Sequence, residues 1–180
     1  LARAKTLIDE IRGAATHPVV LYDAGDWMAG ALFQLLATSH AAELQMMQMM
    51  GYDAVCLGNH EFDWGPAVLG EMIAKGDEMG VTVPILASNT VPSTTDAGDD
   101  ALEAHFDSGR IQGTMVQPLD NGLTIGLFGL VGDGAARITP AVAPAAFEEA
   151  QIAAAAAVET LQTLDVDIIV ALSHAGVGET

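Results

Sequence analysis

Cysteine and basic side chains are scarce in this sequence. A single cysteine, Cys56, excludes an internal disulfide framework and a zinc site built from several cysteines. Lys and Arg together number 6 against 24 Asp and Glu, so the formal net charge is −18. A surface this acidic repels phosphate backbones and anionic lipid headgroups. We therefore expect no nucleic-acid partner.

Long apolar runs are also missing from the sequence. No stretch reaches the roughly 18 to 20 apolar residues that a membrane-spanning helix needs, so we expect no membrane span. The first residues show no signal peptide, and position 1 is Leu rather than Met. Hydrophobic residues nevertheless make up 51% of the sequence and charged residues only 17%. This balance favours a folded domain with a substantial core over a disordered chain.

Short apolar runs alternate with amphipathic segments along the chain. The runs that predict buried strands lie at 19–22, 54–57, 83–87 and 167–172. The spacings that predict helices lie at 1–11, at 31–50, from 66 onward and at 147–164. Two more strands, 114–119 and 123–131, flank a hairpin turn, and Pro118 marks the first as an edge strand. Residues 89–101 and 132–146 are expected to be loops.

This alternation predicts one layered α/β domain over residues 1–180. Most strands should be parallel, with flanking helices and one antiparallel hairpin. Polar clusters lie at the ends of three predicted strands, namely Asp23-Ala24-Gly25-Asp26, Gly58-Asn59-His60-Glu61-Phe62-Asp63 and Ser173-His174. Ligands bind at the carboxyl edge of an open α/β sheet, so we expect these clusters to converge there.

The side chains in these clusters suit a divalent metal ion. A carboxylate, an amide oxygen and an imidazole favour Mn, Mg, Fe or Zn, which makes Asp26, Asn59 and His174 candidate ligands. His60 can face the substrate instead, and Asp63 can accept a hydrogen bond from it and fix its tautomer. Simpler alternatives stand beside these roles: a plain turn for Asp26, a hydrogen-bonded strand end for His174 and a helix cap for Asp63.

These motifs resemble those of the calcineurin-like metallophosphoesterases. The matching segments are Gly25-Asp26, Gly-Asn-His-Glu-Phe-Asp-Trp-Gly at 58–65 and Leu-Ser-His-Ala-Gly at 172–176. The segments 51–55, 86–89 and 122–129 are similar to the 5′-nucleotidase branch, which includes UDP-sugar hydrolases and 2′,3′-cyclic-nucleotide phosphodiesterases. The resemblance runs from about residue 1 to residue 180, and the stretch 58–65 is its most specific part.

The resemblance implies an enzyme that hydrolyses phosphate esters, nucleotides in this branch, by a hydroxide activated by two divalent metal ions. The ions would be Mn, Zn, Mg or Fe. Asp26 matches the carboxylate that bridges both ions, and Asn59 and His174 match ligands of the second ion. His60 matches the catalytic histidine near the scissile phosphate, and Asp63 matches its partner. Family members are commonly periplasmic or extracellular, and the same location is implied here.

Two further family motifs do not occur in these 180 residues. They are an Asp-x-His on the first strand and a Gly-His-x-His after the Ser-His strand. We therefore expect a partial catalytic domain without its edge strands and without the C-terminal substrate domain. This chain alone should hydrolyse phosphate esters poorly or not at all. The alternatives are a non-catalytic metal- or ligand-binding module on the same fold, or a hydrolase of another substrate such as a thiosulfate ester.

Overall fold

The computed structural model of the protein describes residues 2–28 and 36–176. Its helices are α1 (Ala2–Ala14), α2 (Ala37–His40), α3 (Ala42–Met50), α4 (Pro66–Glu78), α5 (Asp100–Asp107), α6 (Asp133–Arg137) and α7 (Ala150–Gln162). Its strands are β1 (Tyr22–Asp23), β2 (Ala54–Cys56), β3 (Ile85–Leu86), β4 (Thr90–Val91), β5 (Ile111–Gln112), β6 (Thr114–Pro118), β7 (Thr124–Val131), β8 (Ala146–Phe147) and β9 (Ile168–His174). None of the described helices is long and apolar enough to cross a bilayer.

The strands form two main sheets. One sheet is parallel throughout, in the order β1-β2-β3-β5. The other has the order β6-β7-β9, where β6 and β7 make the expected antiparallel hairpin and β7 runs parallel to β9. Strands β4 and β8 form a separate, short antiparallel pair. It joins the segment after β3 to the segment before α7. The predicted layered α/β class, with mostly parallel strands and one hairpin, is confirmed.

The core has layers in the order helix, sheet, sheet, helix. Alternate residues of β7 point to opposite faces of its sheet, as the pleat requires. Ile125 and Leu127 pack against the parallel sheet, while Phe128 and Leu130 pack under α7. The other face of the parallel sheet buries the apolar side chains of α3 and α4. With both sheets covered, the loops at their carboxyl ends have a rigid base.

Several elements differ from the sequence expectations. The strand expected at 19–22 is only Tyr22–Asp23, and the helix expected at 147–164 begins at Ala150 because Ala146–Phe147 pairs with β4. The helix expected at 31–50 lies partly outside the described residues. Its described part breaks at Ala41, which has a left-handed φ of 43°.

Two expected loops contain helices, and one strand is less buried than expected. The segment 89–101 contains β4 and the start of α5, and the segment 132–146 contains α6. Both helices are short and begin among Asp and Gly residues, which also signal turns. The strand expected at 167–172 extends to His174, and only Leu172 within it is buried. This exposure follows from its position at one side of the β6-β7-β9 sheet.

Gly129 of β7 allows the two sheets to approach closely. A Cβ at this position would lie 2.6 Å from Cys56 Sγ and 3.0 Å from the Leu86 Cβ. Because both neighbours are fully buried, neither can move into solvent. We expect Gly129→Ala to lower the free energy of unfolding, measured by urea denaturation, by about 1–3 kcal/mol.

Gly13 of α1 provides the matched control for this substitution. A Cβ there would meet nothing within 4 Å. Gly13→Ala should leave the free energy of unfolding unchanged or raise it by up to about 1 kcal/mol, because Ala favours helix over Gly. Equal effects of the two substitutions would show that the sheets do not pack at Gly129 as described.

Candidate active site

The polar clusters meet at the carboxyl edge of the two sheets. The imidazole of His174, at the end of β9, faces the loops that follow β1 and β2. Its Nε2 lies 3.1 Å from Asp26 Oδ2 and 3.0 Å from Asn59 Oδ1. Three residues that are far apart in sequence thus bring three electron-pair donors to one place.

The other ring nitrogen of His174 indicates its tautomer. Nδ1 lies 3.1 Å from the carbonyl oxygen of Ala24, which can only accept a hydrogen bond. If Nδ1 carries the proton, Nε2 directs a lone pair at the oxygens of Asp26 and Asn59. These atoms repel one another unless a cation lies between them or Nε2 is also protonated. A histidine that donates to a backbone carbonyl while its second nitrogen points at oxygen atoms is the usual arrangement of a metal-ligating histidine.

Two glycines allow the loops after β1 and β2 to touch. Gly25 has a φ of +105°, and a Cβ there would lie 2.6 Å from the Gly58 Cα. A Cβ on Gly58 would in turn lie 2.5 Å from Asp26 Oδ1. The backbones of the two loops therefore lie against each other, and both positions require glycine.

Asp26 has an unusual backbone and uses its two carboxylate oxygens differently. Its φ is 65°, in the left-handed region that Asp tolerates better than most residues. Oδ1 accepts a hydrogen bond of 3.0 Å from the His60 backbone N–H. Oδ2 is the oxygen that faces His174. One oxygen thus ties the loops together, and the other points into the site.

Glu61 is a buried carboxylate to which the sequence analysis gave no role of its own. Its Oε2 accepts from the backbone N–H groups of Gly58 at 2.5 Å and Asp26 at 2.9 Å, and its Oε1 accepts from Met28 at 2.9 Å. Burial raises the pKa of Glu61 to about 7, although the three N–H donors act in the opposite direction. The spacing from Gly58 to Glu61 resembles a capping box, but Gly58 has no capping side chain and Asn59 is the N-cap of this turn, so spacing did not identify Glu61.

His60 and Asp63 form a hydrogen-bonded pair beside this cluster. His60 Nδ1 lies 2.8 Å from Asp63 Oδ2, and Nε2 lies 4.0 Å from Asp26 Oδ2. The hydrogen bond to Asp63 is the largest influence that raises the pKa of His60, and the charge of Asp26 adds to it. The cap of α4 is Gly65, with no side-chain hydrogen bond, so Asp63 orients His60 rather than capping that helix.

Asp23 and Asn89 are two further polar residues at the site that sequence reasoning did not single out. Burial raises the pKa of Asp23, whose carboxylate interacts electrostatically with His174 and Asp26. Asn89 is 1% exposed, and its side chain bonds both the N–H and the C=O of Val131. Val131 pairs with His174 in the sheet, so Asn89 holds the strand end next to that histidine.

The donor set fits a divalent ion. Two ligands bound at about 2.1 Å and at right angles lie about 3.0 Å apart. The separations from His174 Nε2 to Asn59 Oδ1 and Asp26 Oδ2 are 3.0 and 3.1 Å. Within residues 2–28 and 36–176, no group of three or more His, Cys, Asp or Glu side chains is arranged to hold a metal ion. The proposed ligands are two side chains of these types, Asp26 and His174, and the amide of Asn59.

Known proteins resemble this chain over nearly its whole length. Bovine 5′-nucleotidase is 33% identical over 183 residues, which is 98% of this chain and 28% of that protein. The crystal structure of a 5′-nucleotidase precursor from Thermus thermophilus superimposes with a TM-score of 0.79 at 28% identity, covering 98% of this chain and 31% of that one. The calcineurin-like phosphoesterase YfkN from Bacillus subtilis shares the fold, with a TM-score of 0.73 at 22% identity, covering 98% of this chain and 54% of that one.

The chain is related over nearly its whole length to 5′-nucleotidases, and it shares the fold of the calcineurin-like phosphoesterase YfkN. Its homologues over nearly the whole chain are 5′-nucleotidases, which are hydrolases, so the family resemblance of the sequence is confirmed. The chain spans less than a third of the length of the two 5′-nucleotidases. No protein-family model matches the chain.

The hydrogen bonds of Asn89 should be necessary for stability. Asn89→Ala would leave the buried N–H and C=O of Val131 without partners. Each unsatisfied group costs about 1–3 kcal/mol of stability. We expect a loss of at least about 2 kcal/mol in the free energy of unfolding. Asn121→Ala is the matched control, because Asn121 is exposed and makes one bond of 3.2 Å to Leu123 N. A loss as small as that of the control would contradict the role of Asn89.

Proposed function

We propose that this chain is part of the catalytic domain of a metal-dependent phosphohydrolase that acts on nucleotides. The observation that carries the proposal is the convergence of Asp26, Asn59 and His174 on one point, with the His60–Asp63 pair beside it. The relatives named 5′-nucleotidase support a nucleotide phosphate ester as the substrate class.

Asp26, Asn59 and His174 would hold one divalent ion, and the carboxylate of Asp26 would be shared with a second ion. Such ions stabilise charge on phosphoryl oxygens and lower the pKa of bound water. Remaining ligands would come from the Asp-x-His and Gly-His-x-His motifs of a longer protein, so residues 1–180 would form only part of the domain. The mixed oxygen and nitrogen donors leave Mn, Zn, Mg and Fe as candidate ions.

The charge of the site supports a requirement for cations. In the described part of the chain, the polar contacts of Asp26, Glu61 and Asp63 go to backbone N–H groups and to histidines rather than to Lys or Arg. A phosphate group approaching these carboxylates would be repelled. Bound divalent ions would reverse the local field and make phosphate binding favourable.

His60 would act on the substrate directly. Asp63 accepts the Nδ1–H, which orients the ring and raises the pKa of His60. Nε2–H then points toward the site, 4.0 Å from Asp26 Oδ2. From there it would donate a hydrogen bond to a phosphoryl oxygen, or a proton to the oxygen of the leaving group.

We place the protein in the periplasm or outside the cell, as the family resemblance implies.

Removing a proposed ligand should weaken metal binding. In the full-length protein, we expect Asn59→Ala and His174→Ala each to lower the affinity for Mn²⁺ at least about tenfold, measured by titration calorimetry. His17→Ala, which removes an exposed histidine, is the control and should bind like the wild type. Wild-type affinity in both ligand variants would refute the proposed metal site.

Removing the catalytic pair should affect turnover and not metal binding. With a nucleoside monophosphate as substrate and saturating Mn²⁺, His60→Ala should lower kcat by about 100-fold or more. Asp63→Asn should lower kcat less, because the imidazole remains but loses its orientation. Asp120→Asn, in the exposed hairpin turn, serves as the control. The assignment of His60 fails if kcat is unchanged in the His60→Ala variant.

A further inference from the structure

We propose that Glu61 is a positioning residue for the metal site and acts through the backbone of Asp26. The inference rests on the proposed function, because it concerns the same metal ligands. Glu61 is 1% exposed, and both of its carboxylate oxygens accept hydrogen bonds from backbone N–H groups. It is therefore not available as a ligand itself, and its effect must reach the site through the loop that it holds.

Asp26 has a left-handed backbone conformation. A non-glycine residue with φ near 65° adopts it only when the surroundings hold it there. The backbone N–H of Asp26 donates to Glu61 Oε2 at 2.9 Å. This contact stabilises the unusual backbone, because breaking it would leave the N–H of Asp26 without its partner on the buried Glu61 side chain.

Glu61 accepts hydrogen bonds from three backbone N–H groups in two loops. The N–H groups of Asp26 and Met28 come from the loop after β1, and that of Gly58 comes from the loop after β2. Trp27, between the first two, donates its Nε1–H to the Cys56 carbonyl at 2.9 Å. An ionised carboxylate can accept all three backbone bonds, whereas an amide would turn an NH₂ group toward at least one of these donors.

The loops after β1 and β2 donate hydrogen bonds to each other at Asp26. Glu61 accepts from the Asp26 backbone, while Asp26 Oδ1 accepts from the His60 backbone at 3.0 Å. These two bonds fix both the main chain and the side chain of Asp26. The remaining oxygen, Oδ2, is then directed toward His174 Nε2 at 3.1 Å. Without Glu61, Asp26 would relax to an ordinary backbone conformation and its carboxylate would turn away from the other ligands.

The test compares Glu61→Gln with a variant destabilised elsewhere. Both are made in the full-length protein, and Mn²⁺ affinity is measured by titration calorimetry alongside urea denaturation of the metal-free form. We expect Glu61→Gln to bind Mn²⁺ about 10- to 100-fold more weakly than the wild type. Gly70→Ala is the destabilised control and should keep wild-type affinity, because a Cβ there would lie 2.5 Å from the Ala101 carbonyl carbon, at the contact of α4 with α5. A purely structural role for Glu61 would make the two variants alike in affinity.

The outcomes separate this inference from the proposed function. Wild-type Mn²⁺ affinity in Glu61→Gln overturns the positioning role and leaves the proposed function intact. Absence of Mn²⁺ binding by the wild type overturns both. If Glu61→Gln fails to fold, Glu61→Asp decides, because it keeps the buried charge but is one methylene shorter. Weakened binding by Glu61→Asp supports the inference, and unchanged binding overturns it.

Discussion

The contact between the loops after β1 and β2 is the constraint on which the rest of the site depends. Gly25 and Gly58 remove the side chains that would keep the two backbones apart, and a Cβ on either would collide with the other loop. Glu61 then ties three backbone N–H groups from both loops to one buried carboxylate. Because the loops are joined in this way, Asp26 and Asn59 lie at fixed positions. Of the three ligands proposed here, His174 is the one that comes from the other sheet.

The two-sheet architecture supplies His174. The β7–β9 pairing places this histidine opposite Val131. Asn89, in the segment between β3 and β4, hydrogen-bonds the N–H and C=O of Val131 at the end of β7. Packing of one sheet on the other, with Gly129 at the interface, sets the distance between the two carboxyl edges. Stability of the core and geometry of the site are therefore linked, as expected for a site built on a rigid scaffold.

The sequence predicted the convergence of the three polar clusters better than it predicted the loops around them. Buried strands followed by polar residues indicated where Asp26, Asn59 and His174 would lie, because parallel strands end at one sheet edge. Helix α5 was not predicted, since its first residues are Asp and Ala in a loop rich in turn formers. The hydrogen bonds of Glu61 and Asn89 were not predicted either, because they join residues distant in sequence to backbone groups. Spacing within one segment carries little information about such contacts.

The central claim is that Asp26, Asn59 and His174 surround one divalent ion. Anomalous diffraction from crystals of the full-length protein grown with Mn²⁺ tests it most directly, since the scattering locates the ion independently of activity. We expect an anomalous peak within coordination distance of Asp26 Oδ2, Asn59 Oδ1 and His174 Nε2. A fully occupied Mn²⁺ elsewhere, with no peak among these three atoms, would contradict it.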